Sequence, residues 1–373
     1  MAVLPDIPKY DTTLLEVDAA LEARQKLESP RHYLGASQIG EECVRKLFYS
    51  FRNVAARIIP ASGIKAIQDG FAQEDIMAAR LRLLPYIELI TEDPKNPGQQ
   101  LSMSYLKGHF RGHLDGVIKG IREAEKTWHV WENKAVNDEK FNKLLTLRDK
   151  LGEKEALKEW DEVYYSQGMI YTLSTQLDRH YLTVQSPGGR RYASIRTNLD
   201  RNFADGLLSK ANVIINSNWS IPAKLSDKLD YYKCKWCEYQ EVCHEGEIPL
   251  VHCKTCRYST CVDDGKRRCD LHEKIMDDAE LHLDTCPDHV FNPCLIPEVQ
   301  FIEHQEDGCI YKTKAGMFFG NFRRSGLPDF KYDLKAIHTS QSLKKLENVS
   351  KIEPQFDVIP QQNSGTTSQL KGL

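Results

Sequence analysis

Asp115 sits in the segment Gly112-His113-Leu114-Asp115-Gly116-Val117, and Glu132 and Lys134 follow in Trp131-Glu132-Asn133-Lys134, after a predicted hairpin. Side chains alternate along a strand, so Glu132 and Lys134 share one face with Asn133 opposite, and Asp115 can meet them from the neighbouring strand. Two carboxylates are hard oxygen donors suited to Mg²⁺ or Mn²⁺, which polarises a phosphate and generates hydroxide. The ammonium beside them can steady the attacking water or offset developing charge. That is the chemistry of phosphodiester hydrolysis. Val117, Ile118 and Val130 give the segments apolar strand character, and Gly112 and Gly116 allow close backbone approach beside Asp115. Solvated alternating charges are the ordinary alternative, but charges set inside apolar strands need a reason.

Two further segments carry residues of interest. Gly70-Phe71-Ala72-Gln73-Glu74 opens an amphipathic run through Leu81 and Leu84, with Glu74 as a possible third carboxylate or an ordinary exposed helix residue. Tyr164 to Tyr171 reads as a helix in which Gln167 and Tyr171, four residues apart, share a face. A half-buried helix whose tyrosine packs in a core would look the same.

With the Asp115, Glu132 and Lys134 triplet between them, these motifs resemble the PD-(D/E)xK nuclease superfamily, in its RecB-like branch with AddB-type, CRISPR-adaptation and phage exonucleases. The resemblance implies a restriction-endonuclease-like α/β core with a mixed sheet flanked by helices. It implies that Glu74, Asp115 and Glu132 hold the divalent metal, that Gln167 orients the lysine, water or a phosphate oxygen, and that Tyr171 stacks on a base or binds the backbone. The expected activity is a Mg²⁺- or Mn²⁺-dependent DNA exonuclease acting on single strands or ends in replication, recombination or repair, with a phage origin in view. Competing with it are a non-cleaving DNA-binding scaffold on the same fold, a structure-specific endonuclease, and an RNA nuclease.

Cysteine is abundant, at 11 in 373 residues. An odd count with no export signal argues against a disulfide framework. Cys234-x-x-Cys237 and Cys243 form one cluster, and Cys43 stands alone far upstream. By the same resemblance, Cys43, Cys234, Cys237 and Cys243 hold a [4Fe-4S] cluster that clasps the two ends of the nuclease domain; zinc is the competing occupant. Beyond them, Cys253-x-x-Cys256, Cys269-x-x-His272 and Cys286-x-x-His289 offer three ligand pairs where tetrahedral structural Zn²⁺ needs two. Cys253, Cys256 and Cys269 are the expected ligands, with His272, Cys286 or His289 as the fourth. Cys261, Cys294 and Cys309 fit neither set.

The expected organisation is a nuclease domain over 1–248, a cysteine- and histidine-rich module with a small hairpin over 249–335, and a disordered tail over 336–373. Strands are expected near 86–91, 103–118 and 127–135, helical segments over 138–159 and 161–175, a hairpin at Pro187-Gly188-Gly189, and a helix over 199–215. Net charge is −3, which does not exclude DNA, because phosphate binding depends on local basic surface. Lys107, His109, Arg111 and His113 near the active-site strand, and Arg179, Arg190, Arg191, Arg196 and Arg201 later, are candidate phosphate contacts. No apolar run is long enough for a membrane, and no charged-then-apolar leader is seen. A cytoplasmic setting in a bacterium or a phage-infected host is therefore expected. No Walker loop or helicase motif appears, so any motor serving this chain would be a separate replication, recombination or helicase protein.

Overall fold

The computed structural model describes residues 10–282, 286–324 and 332–353. The chain divides into two compact units: one runs to Cys43 and resumes over Arg57–Ile215, and the other comprises Val44–Ala56 and the chain from Asn216 onward. This differs from the expected boundary at 248. The division falls at the end of a long helix, and the second unit also takes in an earlier helix. In chain order the structure opens with α1 (Thr12–Lys26), β1 (Leu34–Gly35) and α2 (Val44–Arg52), the last of these in the second unit.

The first unit continues with α3 (Ala61–Leu81), β2 (Glu88–Ile90), β3 (Leu101–Tyr105), β4 (Phe110–Leu114), β5 (Gly116–Lys119) and β6 (His129–Ala135). Helices α4 (Asp138–Leu151), α5 (Glu153–Trp160) and α6 (Glu162–Ser174) then lead to β7 (Arg179–Gln185), β8 (Tyr192–Asn198) and α7 (Arg201–Asn216). The expected strand over 103–118 is in fact three pieces. β4 pairs with both β1 and β3 in a three-stranded sheet, whereas β5 joins a five-stranded sheet of order β2-β5-β6-β7-β8. Asp115 is the residue at which the chain passes from one sheet to the other. The expected helix over 138–159 is likewise broken at Gly152, whose φ of 82° no ordinary helix residue adopts.

The five-stranded sheet is mixed, with β6 and β7 parallel and the other pairs antiparallel. That parallel pair requires a crossover, which α4, α5 and α6 supply. Their apolar residues, including Phe141, Leu144, Leu157, Trp160 and Met169, pack with Leu182, Val184 and Ile195 on one face of the sheet. On the other face, Met77 and Ala78 of α3 meet Ile118, Trp131 and Tyr181. Strand alternation therefore assigns Trp131 and Asn133 to the α3 side and Glu132 and Lys134 to the side of α4–α6. Helix starts are fixed locally: Asn137 Oδ1 accepts the Lys140 amide at 2.8 Å and Asp161 Oδ1 accepts the Tyr164 amide at 2.9 Å, caps worth about 1 kcal/mol each. The α/β class expected from the sequence is what the structure shows, with mixed sheets flanked by helices.

The second unit holds an antiparallel ribbon of β9 (Ser259–Cys261), β10 (Arg267–Cys269) and β11 (Lys274–Met276). It also holds a four-stranded sheet of β12 (Gln300–Gln305), β13 (Gly308–Lys312), β14 (Phe318–Phe322) and β15 (Leu334–His338), followed by α8 (Ser340–Lys345). The expected small hairpin is β13 and β14, extended on both sides. The expected tail from 336 begins inside β15, and Ala336, Leu343 and Ile352 are core residues of this unit together with Phe291, Tyr311 and Phe319. A polar composition concealed three well-spaced apolar anchors. The remainder of that tail, 354–373, lies outside the described residues. No described helix is long and apolar enough to cross a membrane.

Candidate active site

The sheet junction makes the site. Asp115 Oδ2 accepts the Asn133 backbone amide at 2.7 Å, which ties the junction residue to the middle of β6. On the neighbouring residues of that strand, Lys134 Nζ lies 2.9 Å from Glu132 Oε2, and Gln167 of α6 donates to the same oxygen at 3.1 Å. Glu132 is 1% exposed, and its Oε1 finds no hydrogen-bond partner among the described residues. An ionised carboxylate oxygen in that position is costly unless a cation or donor meets it.

The electrostatics follow from burial. Desolvation, with Asp115 beside it, pushes the Glu132 carboxyl up to about 8, and desolvation raises Asp115 against the pull of Lys134 and the Asn133 amide. Burial alone would push the Lys134 ammonium down, but Glu132 and Asp115 hold it well above the ordinary lysine range. Glu74, one turn beyond Gly70 on α3, is pushed up to about 7 by partial burial and by Asp115, and Gln100 Nε2 donates to its Oε1 at 3.3 Å. Tyr171 is buried one helical turn beyond Gln167, with its ring edge against Gly112. A Cβ on that glycine would stand 2.5 Å from Tyr171 Cε1, 2.7 Å from its hydroxyl and 2.9 Å from Ala36 Cβ.

Glu74, Asp115, Lys134, Gln167 and Tyr171 line one open cleft of about 520 Å³, with Glu132 directly beneath Lys134 and Gln167. The structure thus gathers all six residues that the sequence singled out. In the arrangement present, the carboxylates are engaged by protein donors. Among the described residues, no group of three or more His, Cys, Asp or Glu side chains closes around an ion-binding point. The donor set nonetheless fits a divalent cation: three hard carboxylates stand against one ammonium, two of them buried with raised affinity for protons, and one buried oxygen lacks a partner.

Of the basic residues proposed from sequence, Arg111 and His113 line the cleft. Arg196 is paired with Glu153 at 2.7 Å and Arg179 donates to Asn198 Oδ1, so these two serve β8 and its neighbours. His109 is buried. Sequence reasoning missed Arg31, Tyr33 and the apolar face of α3 at Ile67 and Phe71, all lining the cleft. An exposed aromatic one turn before Glu74 was the available signal for the last of these.

All the cysteines read from the sequence as two ligand sets lie among the described residues. Cys43 ends the first segment of the first unit, whereas Cys234, Cys237 and Cys243 belong to the second. A turn in which the Cys237 amide donates to the Cys234 carbonyl at 3.0 Å joins two of them, and Arg45 Nη1 lies 3.9 Å from Cys243 Sγ. In the second set, Cys253, Cys256, Cys269 and Cys286 line a cavity of about 20 Å³, room for one ion or water, together with His272 and His289. Burial and the nearby Cys286 and Cys269 push the Cys253 thiol up to about 11, and burial pushes Cys256 up to about 12. His272 is 43% exposed on its side chain and its Nε2 lies 3.5 Å from Asp288 Oδ2. His289 is buried with Nε2 3.0 Å from the His252 carbonyl.

No protein-family model matches this chain, and no curated protein does. Among solved structures, the protein named SSO0001 is 16% identical with a TM-score of 0.33, over 62% of this chain and 95% of that one. The alkaline exonuclease LHK-Exo from Laribacter hongkongensis is 13% identical with a TM-score of 0.34, over 52% of this chain and 90% of its own. The same exonuclease in complex with dAMP is 12% identical with a TM-score of 0.31, over 54% and 90%. These are distant likenesses, and the reading of function rests on the cleft itself.

Proposed function

We propose that the first unit is a Mg²⁺- or Mn²⁺-dependent deoxyribonuclease of PD-(D/E)xK type, acting as an exonuclease on single strands or DNA ends. One observation carries the reading: Glu132 and Lys134 in direct contact, with Asp115 held to the intervening Asn133 amide, at the floor of an open cleft. In this reading Asp115 and Glu132, with Glu74 at the cleft wall, hold the cation. When bound, the cation supplies Lewis-acid polarisation of the phosphate and a lowered pKa for the attacking water. Lys134 orients that water or balances charge on the phosphate, with its own position set by Glu132. Gln167 fixes the Glu132 carboxylate, and Tyr171, packed on Gly112, holds α6 against the strand that leads to Asp115.

The rival reading, a non-cleaving DNA-binding scaffold, needs a damaged triplet, and here Asp115, Glu132 and Lys134 are intact and adjacent. Incubation of the purified protein with end-labelled single-stranded, duplex and forked DNA and with RNA, with and without Mn²⁺, separates the readings. Metal-dependent loss of labelled DNA supports the proposal. Binding without cleavage of any substrate supports the scaffold. Cleavage confined to RNA would make the protein an RNA nuclease, and cleavage confined to the fork a structure-specific endonuclease.

The cysteine sets are architectural in the same proposal. Cys43, Cys234, Cys237 and Cys243 are the ligands of a [4Fe-4S] cluster in this reading, which rests on the family resemblance and on the close spacing of the last three. For a structural Zn²⁺ in the second unit the reading takes Cys253, Cys256, Cys269 and Cys286 as ligands: these thiols line one small cavity together with His272 and His289, and His272 lies against Asp288. Iron, sulfide and zinc analysis of anaerobically purified protein tests both assignments.

A further inference from the structure

We propose that Phe71, with Ile67 one turn before it on α3, is a stacking platform for an unpaired nucleobase of the strand to be cut. The proposal rests on the polynucleotide reading of the cleft and assigns a role to residues that reading leaves idle. Ile67, Gly70, Phe71 and Glu74 follow one another along a single face of α3, and that face forms a wall of the cleft. Phe71 is 65% exposed and Ile67 44%, so neither supports the core that Met77 and Ala78 build further along the same helix. An exposed aromatic with an apolar neighbour one turn away, beside a metal-type carboxylate, is the kind of apolar patch that marks a ligand-binding groove. Gly70 leaves the space beside the ring open, since a Cβ there would meet nothing within 4 Å.

The rest of the cleft says what the ring receives. Arg31 and Arg111 line it as well, their guanidinium carbons 5.2 and 5.7 Å from the centroid of the Tyr33 ring. Cationic groups and Lys134 on the walls, with an apolar aromatic on another wall, match the two chemistries of a nucleotide: phosphate for the first and a base face for the second. A volume of about 520 Å³ is of the size that takes a small organic ligand. A base already paired and stacked within a duplex offers no face to Phe71. The platform therefore selects single strands or frayed ends.

The test measures binding by fluorescence anisotropy in a Lys134→Ala background with metal withheld by a chelator, so that no cleavage intervenes. The probes are an oligodeoxythymidylate, an abasic deoxyribose-phosphate oligomer of the same length, and a blunt duplex. Phe71→Ala is expected to weaken binding of the thymidylate at least about fivefold, the lower end of one base-aromatic stack. It is expected to leave the abasic oligomer and the duplex unchanged, and Phe71→Trp is expected to restore the thymidylate affinity. Unchanged thymidylate binding by Phe71→Ala overturns the proposal, and so does an equal loss on the abasic oligomer, which would make the role steric. If the parent protein binds none of the three probes, the polynucleotide reading itself fails, an outcome distinct from either of these.

Discussion

The backbone amide of Asn133 donates to Asp115 Oδ2 at 2.7 Å, so the strand that carries Glu132 and Lys134 also fixes the aspartate opposite them. Asp115 stands outside both β4 and β5, where a continuous strand would have alternated it onto one face. The hydrogen bond replaces that missing register. The geometry of the acidic pair is therefore a property of two strands and one amide, and it does not depend on a loop.

Removal of the lysine separates chemistry from folding. Lys134→Ala leaves Glu132 buried without its cation, but a carboxyl already pushed up to about 8 takes up a proton at neutral pH. The fold should survive, with a lowered melting temperature at most, while cleavage falls by about 10²–10³, as when one charge-stabilising donor is lost. Single-turnover cleavage and DNA binding measured on the same preparation check this: binding should be largely kept.

Gly112→Ala tests the packing of Tyr171. A methyl there stands 2.5 Å from a ring carbon of Tyr171 and 2.9 Å from Ala36 Cβ, and the Tyr171 ring is itself buried in the core and has little room to give way. A destabilisation of about 1–3 kcal/mol is expected from overpacking, together with loss of activity. Tyr171→Phe, which removes only the hydroxyl, should keep most of the stability. Urea unfolding of the two variants supplies the comparison.

Much of this site was legible in the sequence because it is local. Glu132 and Lys134 share a strand and Gln167 and Tyr171 share a helix, so period two and period four placed them correctly on their faces. Asp115 was legible as a ligand candidate but not as a junction, because the break between β4 and β5 is decided by pairing with different sheets. The tail was misread because Ala336, Leu343 and Ile352 are sparse anchors in a polar segment, and only packing against Phe291, Tyr311 and Phe319 reveals their purpose. Arg196 looked like a phosphate contact until Glu153, 43 residues away, proved to hold it.

The carboxylates predict a pH signature. Glu132 is raised from 4.5 to about 8 and Glu74 from 4.5 to about 7 in the folded state, so between those values the native protein binds more protons than the unfolded chain. Stability of protein without added metal should then fall as pH rises from about 4.5 through 8 and level off above, by at most a few kcal/mol. Mn²⁺ should flatten that decline, and its own affinity should rise over the same interval, because binding displaces the protons. Melting temperatures across pH 5 to 9, with and without Mn²⁺, read both effects; the pH range is about that bracketed by the ordinary and raised carboxyl values.

In the second unit, Cys269→Ser or Cys286→Ser should remove bound zinc and lower the melting temperature, as loss of a structural metal does. His272→Ala should retain zinc, since that ring is turned to Asp288. Zinc content by mass spectrometry, together with thermal unfolding, distinguishes a four-thiolate site from one completed by histidine. Zinc retained in Cys286→Ser and lost in His272→Ala would reverse the assignment.

The most direct measurement is the rate of Mn²⁺-dependent cleavage of a single-stranded oligodeoxynucleotide by the wild-type protein and by Asp115→Asn, after both are shown to melt alike in the absence of metal. Cleavage by the wild type, abolished both by withholding Mn²⁺ and by the substitution, is the expected result. Cleavage by Asp115→Asn at the wild-type rate, or no cleavage by a folded, metal-supplied wild type on any DNA, would contradict a metal-dependent nuclease centred on Asp115, Glu132 and Lys134.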